Sequence, residues 1–396
     1  MTRQQADVII IGGGFMGASA AFFLRQRGRS VILIERDLVG QQASGVNFGN
    51  VRRQGRFLPQ LPLANRSREI WGRLDELIGE DAEFIPTGYL RLCYCKEQLG
   101  RLEQYAADAK AYDLDLEILG RNALKARFPF VGPEPIAAIH SPRDGHANPR
   151  LAAPAFGRAA ARASAQVFEQ TEVLSIAKAG EDFEVGCSDG RVFRSPAVLV
   201  TAGAWGNALS EQFGEPVPIV ARGPQMAVTE PMPYAIEPVV GLATAKEKEV
   251  IYLRQVTRGN IVFGGGPRGP AHADIRRAYV LPQNTLGQLV QLQRLIPALG
   301  SLSIIRTWSG IEGYLPDDLP IMGPSAREPG LYYAFGFCGH GFQLGPGVGE
   351  VMAELIDRGE TTTPIEPFSI ARFASETAAA PTHATSSVQT METSPR

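Results

Sequence analysis

The sequence predicts a mixed architecture: an α/β domain assembled from separated stretches of chain, with an α+β domain of antiparallel sheet inserted between them. Three observations carry this expectation. The chain opens as strand, turn, helix, strand. Short apolar runs that lead into glycine recur near residue 200 and again near residue 335. The stretches between them carry short, closely spaced strands and helices of a different character.

Val8 to Ile11 is a β-branched run, as a strand buried on both faces requires. Gly12-Gly13-Gly14-Phe15-Met16-Gly17 follows at once. Ala18 to Arg27 is rich in Ala, Leu and Phe and predicts a buried helix, which Gly28 ends. Ser30 to Ile34 gives a second strand, closed by Glu35. Residues 60–80 and 97–112 predict helices, and 85–95, 182–200 and 250–265 predict strands, several of them antiparallel. Pro149 to Ala165 predicts a helix. Ala197 to Thr201 is another buried strand, followed by Ala202-Gly203-Ala204. Leu331 to Phe335 is a strand, then a glycine-rich loop, then a helix from Gly347 to Arg358. From about Ser375 onward Ala, Thr, Ser and Pro dominate, which predicts disorder. The division that follows is a Rossmann-like domain at 1–88, 141–217 and 305–368, an inserted domain at 89–140 and 218–304, and a disordered tail at 369–396.

Composition narrows the function classes. The 396 residues suit two or three domains, and 44% hydrophobic content excludes global disorder. Acidic and basic residues nearly cancel, 41 against 39, so neither a nucleic-acid-binding chain nor a polybasic membrane-binding one is supported. The four cysteines, Cys93, Cys95, Cys187 and Cys338, show no metal spacing and no disulfide framework, and a reducing cytoplasm is the simplest reading. No run reaches the length of a membrane span, and the first apolar run is too short for a signal peptide. Contact at the periphery of a membrane stays open.

Gly12-x-Gly14-x-x-Gly17 sits between a strand and a helix. The first glycine permits the tight turn, the second lets backbone approach a pyrophosphate, and the third lets helix and strand pack closely. The helix start then offers free amides and a positive dipole end to phosphate, with Phe15 and Met16 in its first turn. Glu35 closes the second strand, where a carboxylate accepts ribose hydroxyls and disfavours a 2′-phosphate; Arg36 follows it. A second set of amides is expected in the run from Gly336 to Gly349, at another helix start. Negative charge on a reduced flavin ring suits such a dipole, and a nicotinamide does not need it.

With these motifs the chain resembles the D-amino-acid oxidase superfamily of FAD enzymes, closest to its amino-acid and hydroxyproline dehydrogenase, opine oxidase and sarcosine oxidase β-like branch. The resemblance covers about residues 5–368. It rests on the N-terminal fingerprint with Glu35, on Ala43 to Arg52, and on Asp144-Gly145-His146-Ala147-Asn148-Pro149. It also rests on Thr201 to Trp205, Trp308-Ser309-Gly310, Pro316 to Gly323 and the C-terminal loop. It implies non-covalent FAD. Gly12, Gly14 and Gly17 would hold the pyrophosphate and Glu35 the adenosine ribose. Ser44, Gly45, Asn47 and Gly49, with Asn50 and Arg52 beside them, would line the flavin. Val173 would meet the adenine, Ala202 and Gly203 the pyrophosphate, and Gly341, Phe342, Gln343 and Leu344 the pyrimidine edge.

Departures from the pattern are informative. The cysteine that bonds flavin in monomeric sarcosine oxidases matches Gly310 here, and the oxygen-reactive lysine matches Val262. The resemblance therefore implies a dehydrogenase more than an oxidase. The substrate-carboxylate arginine of glycine and D-amino-acid oxidases matches Glu312, and a second carboxylate position matches Gln343. Carboxylate binding is left to Arg52 or Arg53, or to Arg254, because a planar guanidinium suits that task. Glu312 is a candidate for a substrate ammonium or hydroxyl, or for a salt bridge. His340 is a candidate for a flavin donor or an acid–base group, or for packing in its turn. Tyr252 and Tyr314 are candidates to orient substrate, or are core. The function implied is C–N oxidation of an amino acid, imino acid or secondary amine, with electrons passed to a quinone, a partner flavoprotein or oxygen. A second reading is the FAD-carrying subunit of a hetero-oligomeric opine or hydroxyproline dehydrogenase. An NAD enzyme is disfavoured by the C-terminal loop.

Overall fold

The computed structural model describes residues 4–374. A six-stranded sheet runs in the order Ile321–Pro324, Leu331–Phe335, Ala197–Val200, Val8–Ile11, Val31–Ile34, Gln166–Phe168. All pairs are parallel except the first. Strands from the start, the middle and the end of the chain therefore lie side by side. Both faces of this sheet are covered, which is why its strands read as unbroken apolar runs. Val8, Ile10, Val31 and Leu33 pack against helices. Ile9, Ile11, Ile32 and Ile34 face Phe183, Val185 and Phe193 of a smaller sheet. That sheet pairs Val173–Ala179, Asp182–Cys187 and Val192–Ser195 as a meander, with Gln4–Gln5 at its edge.

Three helices cover the other face: Phe15–Gln26, Pro149–Arg162 and Gly341–Arg358. The last begins six residues earlier than the sequence predicts. Its glycines read as a loop, because glycine disfavours helix; packing overrides that preference. A Cβ on Gly349 would run into Ser19 Oγ, and one on Gly347 would lie 2.7 Å from Ser67 Cβ. Ser19 Oγ instead donates to Gly345 O at 2.9 Å, joining the two helices. The glycines from 345 to 349 thus serve helix contact, and only the part of the run up to Gln343 faces the cavity described below.

An eight-stranded sheet runs in the order Ile304–Ser309, Gln225–Pro231, Asn260–Gly265, Ile251–Gln255, Val239–Leu242, Tyr89–Cys93, Ala137–Ser141, Glu117–Gly120. It is antiparallel except where Val239–Leu242 meets Tyr89–Cys93 in parallel. One face packs against the helix Pro282–Leu295 through Leu292 and Leu295.

The expected tail needs correction at its start. Ile370–Phe373 forms a 3-10 turn with both end residues buried, and Arg372 reaches Asp317 at 2.7 Å. Residues 375–396 lie outside the described residues. Among the described residues no helix is long and apolar enough to cross a membrane. All four cysteines are unpaired.

Candidate active site

One cavity of about 1030 Å³ runs from the N-terminal fingerprint, past the carboxyl ends of the parallel strands, to the eight-stranded sheet. The crevice at the carboxyl ends of such strands is where open α/β sheets take their ligands. At the fingerprint Gly12 has φ 106°, and a Cβ there would lie 2.7 Å from Thr201 O. The helix start at Gly14 has no side-chain cap, so its first amides remain open to an anion, save Phe15 N, which donates to Ser44 Oγ at 2.8 Å. Glu35 accepts Gly13 N at 2.6 Å and Asp37 N at 2.8 Å. Burial raises its carboxyl above the ordinary carboxylate range, and the two amides pull it back.

Of the residues expected to hold the cofactor, Gly12, Gly14, Phe15, Met16, Glu35, Arg36, Ser44, Asn47, Gly49, Asn50 and Arg52 line this cavity. So do Val173, Ala202, Gly203, Gly341, Phe342 and Gln343. Three do not. Gly17 is packed against Gly12 O, Gly45 against Gly40 O, and Leu344 lies in the core. Asn47 shapes its loop, accepting Gly49 N at 2.8 Å and donating to Ser44 O at 2.8 Å. The Arg36 guanidinium lies 4.4 Å over the Trp205 ring. Gln343 donates to Ala64 O at 2.8 Å and leaves its buried Oε1 without a partner.

At the other end the walls carry charge. Glu312 accepts the Tyr314 hydroxyl at 2.7 Å. Burial lifts Glu312 above the ordinary carboxylate range, opposed by the Tyr314 hydrogen bond and by Arg268. Arg268 lies 4.3 Å over the Tyr314 ring. His340 caps the helix Gly341–Arg358, and its Nδ1 lies 3.5 Å from Arg52 Nη2. Burial, then Arg52, Arg56, Arg268 and Arg91, hold His340 well below its ordinary value, so it is neutral and Nδ1 is free to accept. Tyr252 also lines the cavity.

Two of the expected arginines do not reach it. Arg53 is buried against Asp144 at 3.4 Å and donates to Asn65 Oδ1 at 2.9 Å. Arg254 donates to Phe48 O at 2.8 Å and meets His146 Nδ1 at 3.3 Å. Both guanidiniums hold loops together, because an isolated buried cation is retained only with partners. Sequence reasoning missed Arg56, Arg91 and Arg268, which all line the cavity. The signal for Arg91 was a lone arginine in the apolar strand Tyr89–Cys93, two residues from Tyr89 and hence on its face. Val262 and Gly310 are packed away from the cavity, Val262 beside Phe48 and Met226, Gly310 against Val46. Cys338 is buried at the cavity wall, bonded to Gly336 O at 3.1 Å, with its thiol pushed up to about 11 by burial.

A long cavity with an anion-ready helix start at one end and a second uncapped helix start at its middle is the site of a dinucleotide-dependent oxidoreductase. The sequence profile of the DAO family, FAD dependent oxidoreductases, matches residues 7–355, and the chain belongs to that family. It is 28% identical over 92% of its length to glycine oxidase of Geobacillus kaustophilus (strain HTA426), covering 97% of that protein. It is 25% identical to one of the subunits of the opine oxidase of Rhizobium meliloti, over 93% of this chain and 98% of that one. Its fold superposes on the crystal structure of L-proline dehydrogenase from P. horikoshii with TM-score 0.87 and 29% identity, over 95% and 99% of the two chains. The cofactor of the family is FAD, and the residues fit it. The Gly12 turn has no room for a side chain, the first helix start is uncapped, and residues from both the start and the end of the chain line the cavity.

Proposed function

We propose that this protein oxidises the C–N bond of an amino acid, imino acid or secondary amine to an imine, which water then hydrolyses. FAD bound in the cavity would supply the acceptor for the hydride. The turn at Gly12, whose own amide donates to Ile34 O at 2.8 Å, would bring the open helix start at Gly14 to the pyrophosphate, with Glu35 on the ribose, Val173 on the adenine, and Ser44, Asn47 and Gly341 to Gln343 at the flavin end. Gly310, which stands where monomeric sarcosine oxidases carry the bonded cysteine, has no thiol to offer, which supports non-covalent attachment.

The chain's own residues would do the rest. The cavity arginines hold the substrate carboxylate through paired N–H donors. Glu312, ionised, accepts an N–H of the substrate ammonium and takes its proton, so that the nitrogen lone pair can assist departure of the neighbouring C–H hydride. Tyr314 fixes the carboxylate for that contact. His340, neutral, accepts from Arg52 and so orients a guanidinium rather than moving a proton. The burial of Glu312 beside Tyr314, in the cavity the arginines line, is the observation that carries this reading. Val262, matched to the oxygen-reactive lysine, packs beside Phe48 and Met226 and does not line the cavity, so it does not choose between dehydrogenase and oxidase. The likeness to one chain of a multi-chain opine oxidase supports a second reading, in which a partner chain is needed for turnover.

Anaerobic addition of amino acids, imino acids and secondary amines to the yellow holoprotein tests the assignment. At least one should bleach it. If none does, with the lone chain or with any partner that copurifies, C–N oxidation is wrong. Loss of bleaching on removing the partner would select the second reading.

A further inference from the structure

Arg254 stands behind the wall of the cavity rather than in it. It belongs to the strand Ile251–Gln255, and its guanidinium lies 5.6 Å over the Phe48 ring. Its Nε donates to Phe48 O at 2.8 Å, and a Cβ on Gly49 would lie 3.1 Å from Nη2. Phe48 and Gly49 both line the cavity. The charge is thus one residue deep, behind the loop that carries Ser44 and Asn47 at the proposed flavin end.

Among the described residues no carboxylate pairs with it. Its acceptors are a peptide oxygen and His146 Nδ1, 3.3 Å from Nη1. Burial, then Arg254 itself, holds His146 down to about 3, so the imidazole is uncharged at neutral pH. Glu83, whose charge Arg254 feels, is exposed and accepts Asn148 Nδ2 at 3.0 Å. Across the strand pair Arg254 faces Val262, which packs beside Phe48 and Met226. Arg52, Arg56, Arg91 and Arg268 differ, because they line the cavity, where solvent or a substrate carboxylate reaches them. Arg254 is out of that reach. A charge buried in this way is screened little and acts at longer range than an exposed one.

A hydride brings two electrons and one proton to a flavin, and the ring is left with one negative charge unless a further proton follows. We infer that Arg254 sets the potential of the flavin: its unpaired charge, acting through Phe48 and Gly49, stabilises the reduced ring over the oxidised one and so favours hydride uptake. This rests on the flavin placement proposed above. Arg254 touches neither substrate nor cofactor in this role, and its charge, rather than its hydrogen bonds, does the tuning.

The holoprotein is reduced slowly with dithionite beside a reference dye of similar potential, and the reduced-to-oxidised ratios of flavin and dye are read together. Arg254→Gln keeps a hydrogen-bonding side chain and loses the charge. At a fixed dye ratio its reduced-to-oxidised flavin ratio should be roughly tenfold below native, about 30 mV for a two-electron couple. Arg254→Lys should recover most of that loss. Sulfite adds its lone pair to flavin N5 and leaves the same negative charge on the ring, so it should bind roughly tenfold more weakly to Arg254→Gln. An unchanged flavin ratio in Arg254→Gln with FAD bound overturns the inference. So does Arg254→Lys behaving as Arg254→Gln, because the hydrogen bonds would then set the potential. Should Arg254→Gln not hold FAD, Val262 gives a second route. Val262→Glu sets a carboxylate beside the guanidinium and leaves the Arg254 donors in place. Its flavin ratio should fall by a similar factor below that of Val262→Gln, and equal ratios in these two variants overturn the inference. No amine enters these titrations. A shift in potential with no amine able to bleach the protein therefore overturns C–N oxidation and leaves the role of Arg254 standing, and bleaching by an amine without the shift does the reverse.

Discussion

The Tyr314 hydroxyl donates to Glu312 Oε2 at 2.7 Å inside the cavity that Arg52 and Arg56 also line. Neighbours on one short strand, two residues apart, they share a face. The pair gives a buried carboxylate a fixed direction.

Glu312 must be ionised to receive an ammonium proton, and burial raises its titration above the usual value near 4.5. The acid limb of kcat/KM should therefore lie above that value and follow this group. Glu312→Gln should lower kcat/KM roughly a hundredfold and remove that limb. Tyr314→Phe removes a hydrogen bond that favours the charged form, so it should shift the limb to higher pH. The measurement is anaerobic reduction rate against pH. An unchanged limb in Glu312→Gln means that the ammonium is held elsewhere.

Gly12→Ala places a Cβ 2.7 Å from Thr201 O at a left-handed φ of 106°. Purified protein should be colourless or nearly so, as judged by the ratio of visible to ultraviolet absorbance. The far-ultraviolet spectrum should stay native, because the strand Val8–Ile11 and its partners are untouched. Full FAD occupancy in this variant would show that the turn does not meet the cofactor.

Gly349→Ala pushes a methyl into Ser19 Oγ between two helices. Overpacking of this kind costs about 1–3 kcal/mol. Tm should fall, and Ser19→Ala combined with it should recover part of the loss, since the two sites touch. Additive losses in the double variant would contradict the contact.

His146 is held down to about 3 by burial and by the adjacent Arg254. Its folded value is depressed below its unfolded one near 6.5. Stability from its neutral form is present above 6.5 and drains away as pH falls toward 3, by about 1.4 kcal/mol per pH unit. His340, lowered for the same reasons, acts in the same direction. Urea midpoints between neutral pH and pH 5 should fall, and His146→Gln should flatten part of that slope. A slope that survives intact in the variant would place the loss elsewhere.

Much of this was legible in the residues. Period and composition marked the βαβ opening, because its strands are buried on both faces and read as plain apolar runs. The fingerprint marked a turn at Gly12 that is too tight for any residue but glycine. The arginines were not legible in the same way. Arg53 follows Arg52 directly, so the two side chains leave the chain in different directions, one to Asp144 and one to the cavity. Arg254 shares a face with Tyr252, but Phe48 lies between it and the open space. Which guanidinium faces a substrate depends on what the neighbouring loop covers, and that is decided by contacts far apart in sequence. The first turns of the helix Gly341–Arg358 were hidden for a related reason: glycine argues against a helix locally, and only the approach of Ser67 to Gly347 and of Ser19 to Gly349 shows why these glycines are there.

The central sheet orders a strand from the last fifth of the chain next to one from its middle and one from its first dozen residues. A ribosome that has made the fingerprint has therefore made only part of a binding site. With the flavin placed as proposed above, its capture would wait until residues 331–343 emerge and dock. Colour in a purified preparation would then report synthesis through the C-terminal helix, and truncation before it should yield apoprotein that no excess of FAD can restore.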